Sequence, residues 1–217
     1  MSDQLIPRAR DYLAINLQAY EQTAAEFGLK KAIRLDTDSP SADTLARFLA
    51  PGARVLDLGS GNGQLAKLLT DRGLDVTAIE FSPRMAAIAQ ETAPNVRMIV
   101  DEFLAHDFGN EKFDGVIGIA FVHLFPAADA LKVMQKVHSL LKPGGINMQA
   151  TTLHDHTFDE ILAKVNFKNK TPRFRRHYTE EDFEKLFADS NFKIIHQYHS
   201  PDGETTRSWV VVVSRRV

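Results

Sequence analysis

The stretch Val55-Leu56-Asp57-Leu58-Gly59-Ser60-Gly61-Asn62-Gly63 joins a short apolar run to a loop with glycine at every second position. Leucines recur with helical spacing directly after it, so the sequence predicts a strand, a tight turn and a helix. The missing Cβ atoms of the turn let a ligand approach the backbone closely. Glu80 ends the next apolar run, 19 positions after Gly61, where a carboxylate can accept hydrogen bonds from both hydroxyls of a ribose. These residues predict a cofactor that contains adenosine.

The loop alone leaves three interpretations open. A tight strand-to-helix turn without any ligand would explain the glycines. Gly61, Gly63 and Ala66 also satisfy the dinucleotide fingerprint G-x-G-x-x-G/A, which keeps a nicotinamide cofactor open. Asp57 argues against the dinucleotide, because it would place a negative charge beside the pyrophosphate. A carboxylate at that position would instead attract a cofactor whose amino acid end is positively charged.

Composition limits the possible functions. The 217 residues predict one domain, with an ordinary apolar content of 44%. A net charge of −2 gives no overall attraction to nucleic acid or to an anionic membrane, and the absence of cysteine excludes disulfides, thiolate metal sites and a cysteine nucleophile. The first residues lack the apolar region of a secretory signal, and the apolar stretch 116–122 is too short to span a bilayer. We therefore expect a cytoplasmic protein that does not bind membranes.

Helical and strand patterns alternate along the chain. The predicted helices include those at about residues 8–27, 41–50 (capped by Pro40-Ser41) and 126–141 (stopped by Gly144-Gly145), and two with N-caps at Ser82 and Thr179. The predicted strands are 54–58, 74–80, 96–100, 113–120, 146–151, 192–199 and 207–214. About seven residues join the last two strands, which is too short for a parallel crossover and predicts an antiparallel hairpin.

This order of elements predicts a doubly wound α/β sheet. Ligands of such sheets bind beyond the carboxyl ends of the strands, at the point where the strand order reverses. Five residues at or just beyond strand ends should therefore line one crevice: Gly59, Glu80, Asp101, Ala120 and Thr151.

From about residue 40 to residue 217, the chain resembles the class I S-adenosylmethionine-dependent methyltransferases. The resemblance is carried by five segments in the family's order: residues 55–63, 79–85 (Ile-Glu-Phe-Ser-Pro-Arg-Met), 100–101 (Val-Asp), 112–117 (Lys-Phe-Asp-Gly-Val-Ile) and 140–145 (Leu-Leu-Lys-Pro-Gly-Gly). It implies a Rossmann-like, mostly parallel seven-stranded sheet with helices on both faces, whose antiparallel last strand inserts between strands five and six. It also implies a helical lid at residues 1–39 and a basic substrate-covering insertion at about 154–178.

The resemblance implies the cofactor site as well. Asp57 and the loop Gly59, Ser60, Gly61 and Gly63 would hold the methionine moiety, and Glu80 the ribose hydroxyls. Phe81 would pack on the adenine ring, Asp101 would accept its amino group and Glu102 would offer a backbone N–H. The predicted site is completed by Phe103, Ala120 and, from the lid, Tyr20. Ordinary core packing for Phe81 and a strand-end cap for Asp101 are the alternatives.

His123 is the leading candidate for catalysis, because it follows strand four at the crevice and could act as a general base. A histidine that caps the next helix or packs among aromatic residues is the alternative. His154, in the segment His154-Asp155-His156 after strand five, is a candidate for substrate binding, and no metal is expected there. The segment 164–177 is rich in lysine and arginine and contains no acid, which suits an anionic substrate. Its candidate substrate ligands, with the residue that follows, are Arg173, Arg175, Arg176 and Tyr178.

The expected reaction is methyl transfer to a small organic acceptor, at oxygen (hydroxyl or carboxylate) or at nitrogen. The tetrapeptide Asn/Asp-Pro-Pro-Tyr/Phe is absent after strand four, where residues 119–122 read Ile-Ala-Phe-Val, so the resemblance argues against methylation of nucleic-acid bases. An RNA or protein methyltransferase that uses the segment 164–177 is the first alternative. A non-catalytic cofactor binder or a nicotinamide enzyme is the second. Either a monomer or a homodimer is compatible with the sequence.

Overall fold

The computed structural model describes residues 11–29, 35–163, 170–201 and 208–217. Its helices are α1 (Asp11–Leu29), α2 (Leu35–Ala46), α3 (Gln64–Asp71), α4 (Pro83–Thr92), α5 (Ala127–Leu140) and α6 (Glu180–Ala188), with a 3-10 turn at Val122–Leu124. Its strands are β1 (Arg54–Leu58), β2 (Asp75–Glu80), β3 (Arg97–Val100), β4 (Phe113–Ile119), β5 (Leu141–Thr152), β6 (Phe158–Ala163), β7 (Pro172–His177), β8 (Phe192–Pro201) and β9 (Ser208–Arg216). None of the described helices is long and apolar enough to cross a bilayer.

Seven strands form one sheet in the order β3-β2-β1-β4-β5-β9-β8. Strands β1 to β5 pair in parallel, whereas β9 runs antiparallel between β5 and β8. This arrangement confirms the predicted doubly wound sheet and its antiparallel last strand. The order reverses at β1 and β4, so the crevice beyond the carboxyl ends of these two strands is the expected ligand site.

Both faces of the sheet are covered by apolar residues, as parallel strands require. On one face, Leu56, Leu58 and Val116 pack with residues of α5 and α6. On the other face, Val55, Ile117 and Ile119 pack with residues of α2 and α3. The two clusters hold the sheet from both sides and leave its carboxyl edge to carry the polar and glycine-rich loops.

The predicted start of one helix and the predicted stop signal of another are wrong. Helix α2 begins at Leu35 and contains Pro40, which was expected to precede it. Proline removes one backbone hydrogen bond of a helix, but here Asp38 and Ser41 are buried on either side of it, so packing holds the first turns in place. Helix α5 ends at Leu140, within one residue of its predicted end, but Gly144-Gly145 do not stop it, because Leu141 already pairs with Phe113 in the sheet. Gly144 and Gly145 lie inside β5, at an irregularity of its register.

Strands β6 and β7 form a separate antiparallel hairpin in the region predicted as a basic insertion. The predicted caps Ser82 and Thr179 are confirmed, since each side chain accepts a backbone N–H three residues later, in α4 and in α6. Part of the predicted insertion, residues 164–169, lies outside the described residues. So do residues 1–10 and 30–34 of the predicted lid.

Candidate active site

The glycine loop between β1 and α3 is held in a conformation that side chains rarely adopt. Gly59, Gly61 and Gly63 have φ angles of 63°, 56° and 77°. A Cβ at Gly59 would lie 2.7 Å from Cδ2 of Phe121, and a Cβ at Gly63 would lie 2.6 Å from the carbonyl oxygen of Ala89. Backbone conformation therefore favours glycine at all three positions, and lack of space excludes a Cβ at Gly59 and Gly63. The predicted strand–turn–helix is present.

Glu80 joins this loop to the next strand end. Its Oε2 accepts the N–H of Gly61 at 3.0 Å, and its Oε1 accepts the N–H of Ser82 at 2.9 Å. Burial raises the pKa of Glu80, while the backbone N–H groups of Ser82 and Gly61 oppose that shift. The carboxylate is thus fixed at the carboxyl end of β2, beside the glycine loop, as the sequence predicted.

The ends of β1 and β4 meet at the same edge. Asp57 is buried in β1, two residues before the loop, and β1 pairs with β4. Ala120 follows β4 with a φ of 59°, and its N–H donates to the carbonyl of Ala150. A positive φ at a non-glycine residue is uncommon and clusters at functional sites, so we regard the end of β4 as part of the site.

The segment after β3 carries the residues predicted to bind adenine. Asp101 is half-exposed and accepts the N–H of Glu102 at 2.7 Å, and its other oxygen lies 2.9 Å from Nδ1 of His106. The His106 contact and the N–H of Glu102 lower the pKa of Asp101. Phe103 is buried against Phe121. The N–H expected to serve adenine is therefore bonded to Asp101 in this structure, and Phe81 lies half-buried beside Glu80.

Helix α1 covers this edge, as a lid would. Tyr12 donates to Asp129 of α5 at 2.8 Å, and Asn16 bridges the end of the 3-10 turn to β7. Ser82 donates to Oε1 of Glu21 at 2.5 Å, which ties α1 to the start of α4. Helix α1 thus contacts the loops after β2 and β4 and also the hairpin.

His123 lies in the 3-10 turn after β4 and is 2% exposed. Its Nδ1 is 3.0 Å from Oγ1 of Thr151, near the end of β5. The predicted catalytic histidine therefore joins two neighbouring strand ends of the crevice. This contact fixes the orientation of the ring, and the threonine hydroxyl can serve either tautomer because it both donates and accepts.

The three predicted arginines of β7 turn toward different partners. Arg173 donates to the Tyr20 hydroxyl of α1 at 3.2 Å, and Arg175 donates to Oγ1 of Thr152, at the end of β5, at 2.5 Å. Arg176 forms an ion pair of 2.7 Å with Asp159 of β6. Since Arg176 is satisfied within the hairpin, we do not carry it into the acceptor site.

His154 belongs to a chain of polar groups between β5 and the hairpin. Nδ1 of His177 lies 2.9 Å from both ring nitrogens of His154, and Nε2 of His177 lies 2.9 Å from Glu160. Tyr178 is buried close by, which raises the pKa of its hydroxyl, and the Arg176 guanidinium lies over its ring. Among the described residues no group of His, Asp and Glu is arranged to hold a metal ion. Asp155 and His156 are exposed.

Several site residues could not be found from the sequence. Phe121 packs against Gly59, Asn16 fixes the lid, and His177 and Glu160 surround His154, but each becomes visible only when distant segments come together. The one available signal was the aromatic run around His123, which placed Phe121 beside a predicted site residue.

Residues 55–145 match the family model described as a methyltransferase domain. The chain is 36% identical over 145 residues to a ubiquinone biosynthesis O-methyltransferase of Xanthomonas campestris, which covers 62% of this chain and 59% of that protein. It is 34% identical over 95 residues to a demethylmenaquinone methyltransferase of Renibacterium salmoninarum, which covers 44% of this chain and 39% of the other. The chain thus spans less than two thirds of the length of these relatives.

Two solved structures share the fold. The Burkholderia thailandensis 1,6-didemethyltoxoflavin-N1-methyltransferase, with 1,6-didemethyltoxoflavin and S-adenosylhomocysteine bound, superposes with a TM-score of 0.80 over 100% of this chain and 93% of its own, at 21% identity. The magnesium protoporphyrin IX methyltransferase of Synechocystis, with S-adenosylmethionine bound, superposes with a TM-score of 0.71 at 18% identity. The superposition covers 97% of this chain and 100% of the other. These likenesses confirm the predicted fold.

Proposed function

We propose that this chain, whose residues 55–145 match a methyltransferase domain, is a class I S-adenosylmethionine-dependent methyltransferase that transfers a methyl group from that cofactor to a small organic acceptor. The domain match supports this enzyme class, and S-adenosylmethionine is the methyl donor of that class. The observation that carries the proposal is the fixed carboxylate of Glu80 between the left-handed glycine loop and the start of α4. This geometry suits a ribose, because each carboxylate oxygen keeps a lone pair that can accept a sugar hydroxyl beside its backbone N–H partner.

The cofactor's position follows from the strand ends. We assign the methionine moiety to Asp57 and the loop Gly59–Gly63, the ribose to Glu80, and the adenine to Phe81 and the segment that begins at Asp101. Asp57 is 1% exposed, so its charge acts at short range in a medium of low dielectric constant. This charge favours the positively charged amino acid and sulfonium of S-adenosylmethionine over the pyrophosphate of a dinucleotide.

The chemistry needs little from the protein beyond positioning. In methyl transfer a bond forms between the acceptor atom and the methyl carbon, the bond from that carbon to sulfur breaks, and S-adenosylhomocysteine leaves. Holding the two reactants in line can supply about 7–11 kcal/mol of the barrier reduction. Helix α1 and the β6–β7 hairpin, which contact each other through Asn16 and through Tyr20 and Arg173, would enclose the reactants and exclude water.

An acceptor hydroxyl must also lose its proton, and we assign this step to His123. When His123 donates from Nδ1 to Oγ1 of Thr151, Nε2 is the nitrogen that can take the acceptor's proton. Oxygen is the proposed acceptor atom, which agrees with the O-methyltransferase to which the chain is 36% identical. A carboxylate acceptor would need no base.

We propose an anionic acceptor, held by Arg173 and Arg175. Both guanidinium groups are half-buried on the hairpin and already point to Tyr20 of the lid and to Thr152 at the end of β5. A guanidinium in such a place can exchange a neutral partner for a carboxylate, with which it makes stronger, charge-assisted hydrogen bonds. His154, next to the same strand end, and Tyr178 are the further residues that we assign to the acceptor.

The test is methyl transfer from radiolabelled S-adenosylmethionine to a panel of phenols, aromatic carboxylic acids and amines. We expect an oxygen acceptor to be labelled, and we expect His123→Gln to lower kcat about 100-fold or more for a phenol but little for a carboxylate. The matched control is His156→Gln, which changes an exposed histidine. Labelling of amines alone would contradict the assignment of oxygen as the acceptor atom. An equal decrease of kcat with phenols and carboxylates in His123→Gln would contradict the role of His123 as the base.

A further inference from the structure

Lys136 of α5 makes an unusual set of contacts with the segment after β3. Its Nζ donates to the carbonyl oxygens of Phe103 at 2.6 Å, Leu104 at 3.1 Å and His106 at 2.6 Å. An ammonium group has three donors, and here all three meet backbone carbonyls of a single turn. The lysine is half-buried, which is costly for a charge that is not fully hydrogen-bonded.

The other end of the same turn is held by a carboxylate. Glu102 is buried, and its two oxygens accept the N–H groups of Leu104 and Ala105 at 2.8 Å each. The rings of Phe103 and Phe108 lie 5.2 and 5.5 Å from the lysine ammonium, within the range of cation–π attraction. The turn is therefore fixed by a negative group at its N–H side and a positive group at its carbonyl side.

The turn begins at the strand end that we assign to adenine. The N–H of Asp101 donates to the carbonyl of Glu80 at 3.1 Å, so the two predicted cofactor ligands are adjacent in the sheet. Phe103 packs on Phe121, which in turn packs against Gly59 of the glycine loop. The shape of the turn thus sets where the Asp101 carboxylate and this aromatic contact lie.

We propose that Lys136 is a positioning residue for the adenine of S-adenosylmethionine, because it holds residues 101–106 in the shape that presents Asp101 to the adenine amino group. The proposal rests on the proposed function, since it requires S-adenosylmethionine to bind at this edge. Lys136 contacts the turn rather than the cofactor, so its effect should fall on cofactor affinity and on recognition of the 6-amino group.

The experiment compares two ligands by calorimetry on the full chain, at a temperature below unfolding of each variant. S-adenosylhomocysteine carries the 6-amino group, and S-inosylhomocysteine has a carbonyl oxygen in its place, which the Asp101 carboxylate would repel. We expect Lys136→Met to weaken S-adenosylhomocysteine binding about tenfold and to reduce the preference over S-inosylhomocysteine at least threefold. The planar group of Lys136→Arg cannot reach three carbonyls from one point. Its affinity for S-adenosylhomocysteine and its preference over S-inosylhomocysteine should therefore lie between those of Lys136→Met and of the unchanged protein.

Lys112→Met is the matched control, because Lys112 donates to one carbonyl, that of Ser139, and lies before the amino end of β4, opposite the carboxyl edge of the sheet. It should bind both ligands as the unchanged protein does. A folded Lys136→Met protein with unchanged affinity and unchanged preference would overturn the inference. If Lys136→Met does not fold, Lys136→Arg decides, and an unchanged preference in that variant would overturn it equally. Failure of the unchanged protein to bind S-adenosylhomocysteine would overturn the proposed function itself.

Discussion

Glu80 should make cofactor affinity depend on pH. Its pKa is raised by burial, so when the pH falls from 7 to 5 Glu80 takes up protons more readily than an ordinary glutamate of the unfolded chain does. The neutral carboxyl is the weaker acceptor for the two ribose hydroxyls. We therefore expect the affinity for S-adenosylhomocysteine, measured by calorimetry, to fall about tenfold over this range.

Asp101 provides the matched control for this pH dependence. Its pKa is lowered by its hydrogen bond with His106 and by the N–H of Glu102, so Asp101 stays ionised throughout the same range. The Glu80→Gln variant should bind weakly at both pH values and lose the dependence. The Asp101→Asn variant should also bind more weakly but keep the dependence. An unchanged pH dependence in Glu80→Gln would contradict the role assigned to Glu80.

Replacing a glycine of the loop by alanine should destabilise the protein more than the same replacement at a glycine elsewhere that has the same backbone conformation. Gly63 has a φ of 77°, and a Cβ added there would lie 2.6 Å from a backbone oxygen, whereas Gly73 has a φ of 80° and open space. Gly63→Ala therefore combines left-handed strain with a clash and should destabilise the protein by about 2–5 kcal/mol. Gly73→Ala should cost about 1–2 kcal/mol. Chemical denaturation measures the free energy of unfolding of both variants. An equal decrease in the two would contradict the clash at Gly63.

At the scale of single elements, the β6–β7 hairpin is where acceptor specificity should lie. We expect Arg173→Ala and Arg175→Ala to raise KM for the acceptor about tenfold and to leave the affinity for S-adenosylhomocysteine within about twofold, because a charge-assisted hydrogen bond is lost on the acceptor side alone. Arg97→Ala is the control, since its guanidinium also forms an ion pair, with Glu111, but lies on β3 rather than on the hairpin. An unchanged KM in both Arg173→Ala and Arg175→Ala would exclude the hairpin as the acceptor site.

The same hairpin shows why some elements could not be predicted. The segment Phe158–Ala163 reads Phe-Asp-Glu-Ile-Leu-Ala, which lacks the strict alternation of a strand, and its partner strand is dominated by basic residues. Contacts between distant segments hold the hairpin in place, notably the N–H of Phe174 that donates to Asn16 of α1, 158 positions earlier. The start of α2 was missed for a similar reason, because burial of Asp38 and Ser41 outweighs the preference of Pro40 for a helix start.

At the scale of the whole molecule, most of the sheet could be predicted because its signals are local. The strand β4 is an almost continuous apolar run, as expected of a strand buried on both faces. The glycine loop indicates a strand followed by a helix, and the short final connection indicates an antiparallel pair of strands. The cofactor edge followed from topology, since carboxyl ends of parallel strands meet there. The contacts between α1 and the hairpin could not be predicted, because they join positions as distant in sequence as Tyr20 and Arg173.

The most direct test of the central claim is calorimetric titration of the full chain with S-adenosylhomocysteine and, separately, with NADH. Both ligands contain adenosine, so the comparison isolates the methionine end from the pyrophosphate end beside Asp57. We predict saturable binding of one S-adenosylhomocysteine per chain and no measurable binding of NADH. Binding of NADH together with no binding of S-adenosylhomocysteine would contradict the assignment of this crevice to a methyl donor.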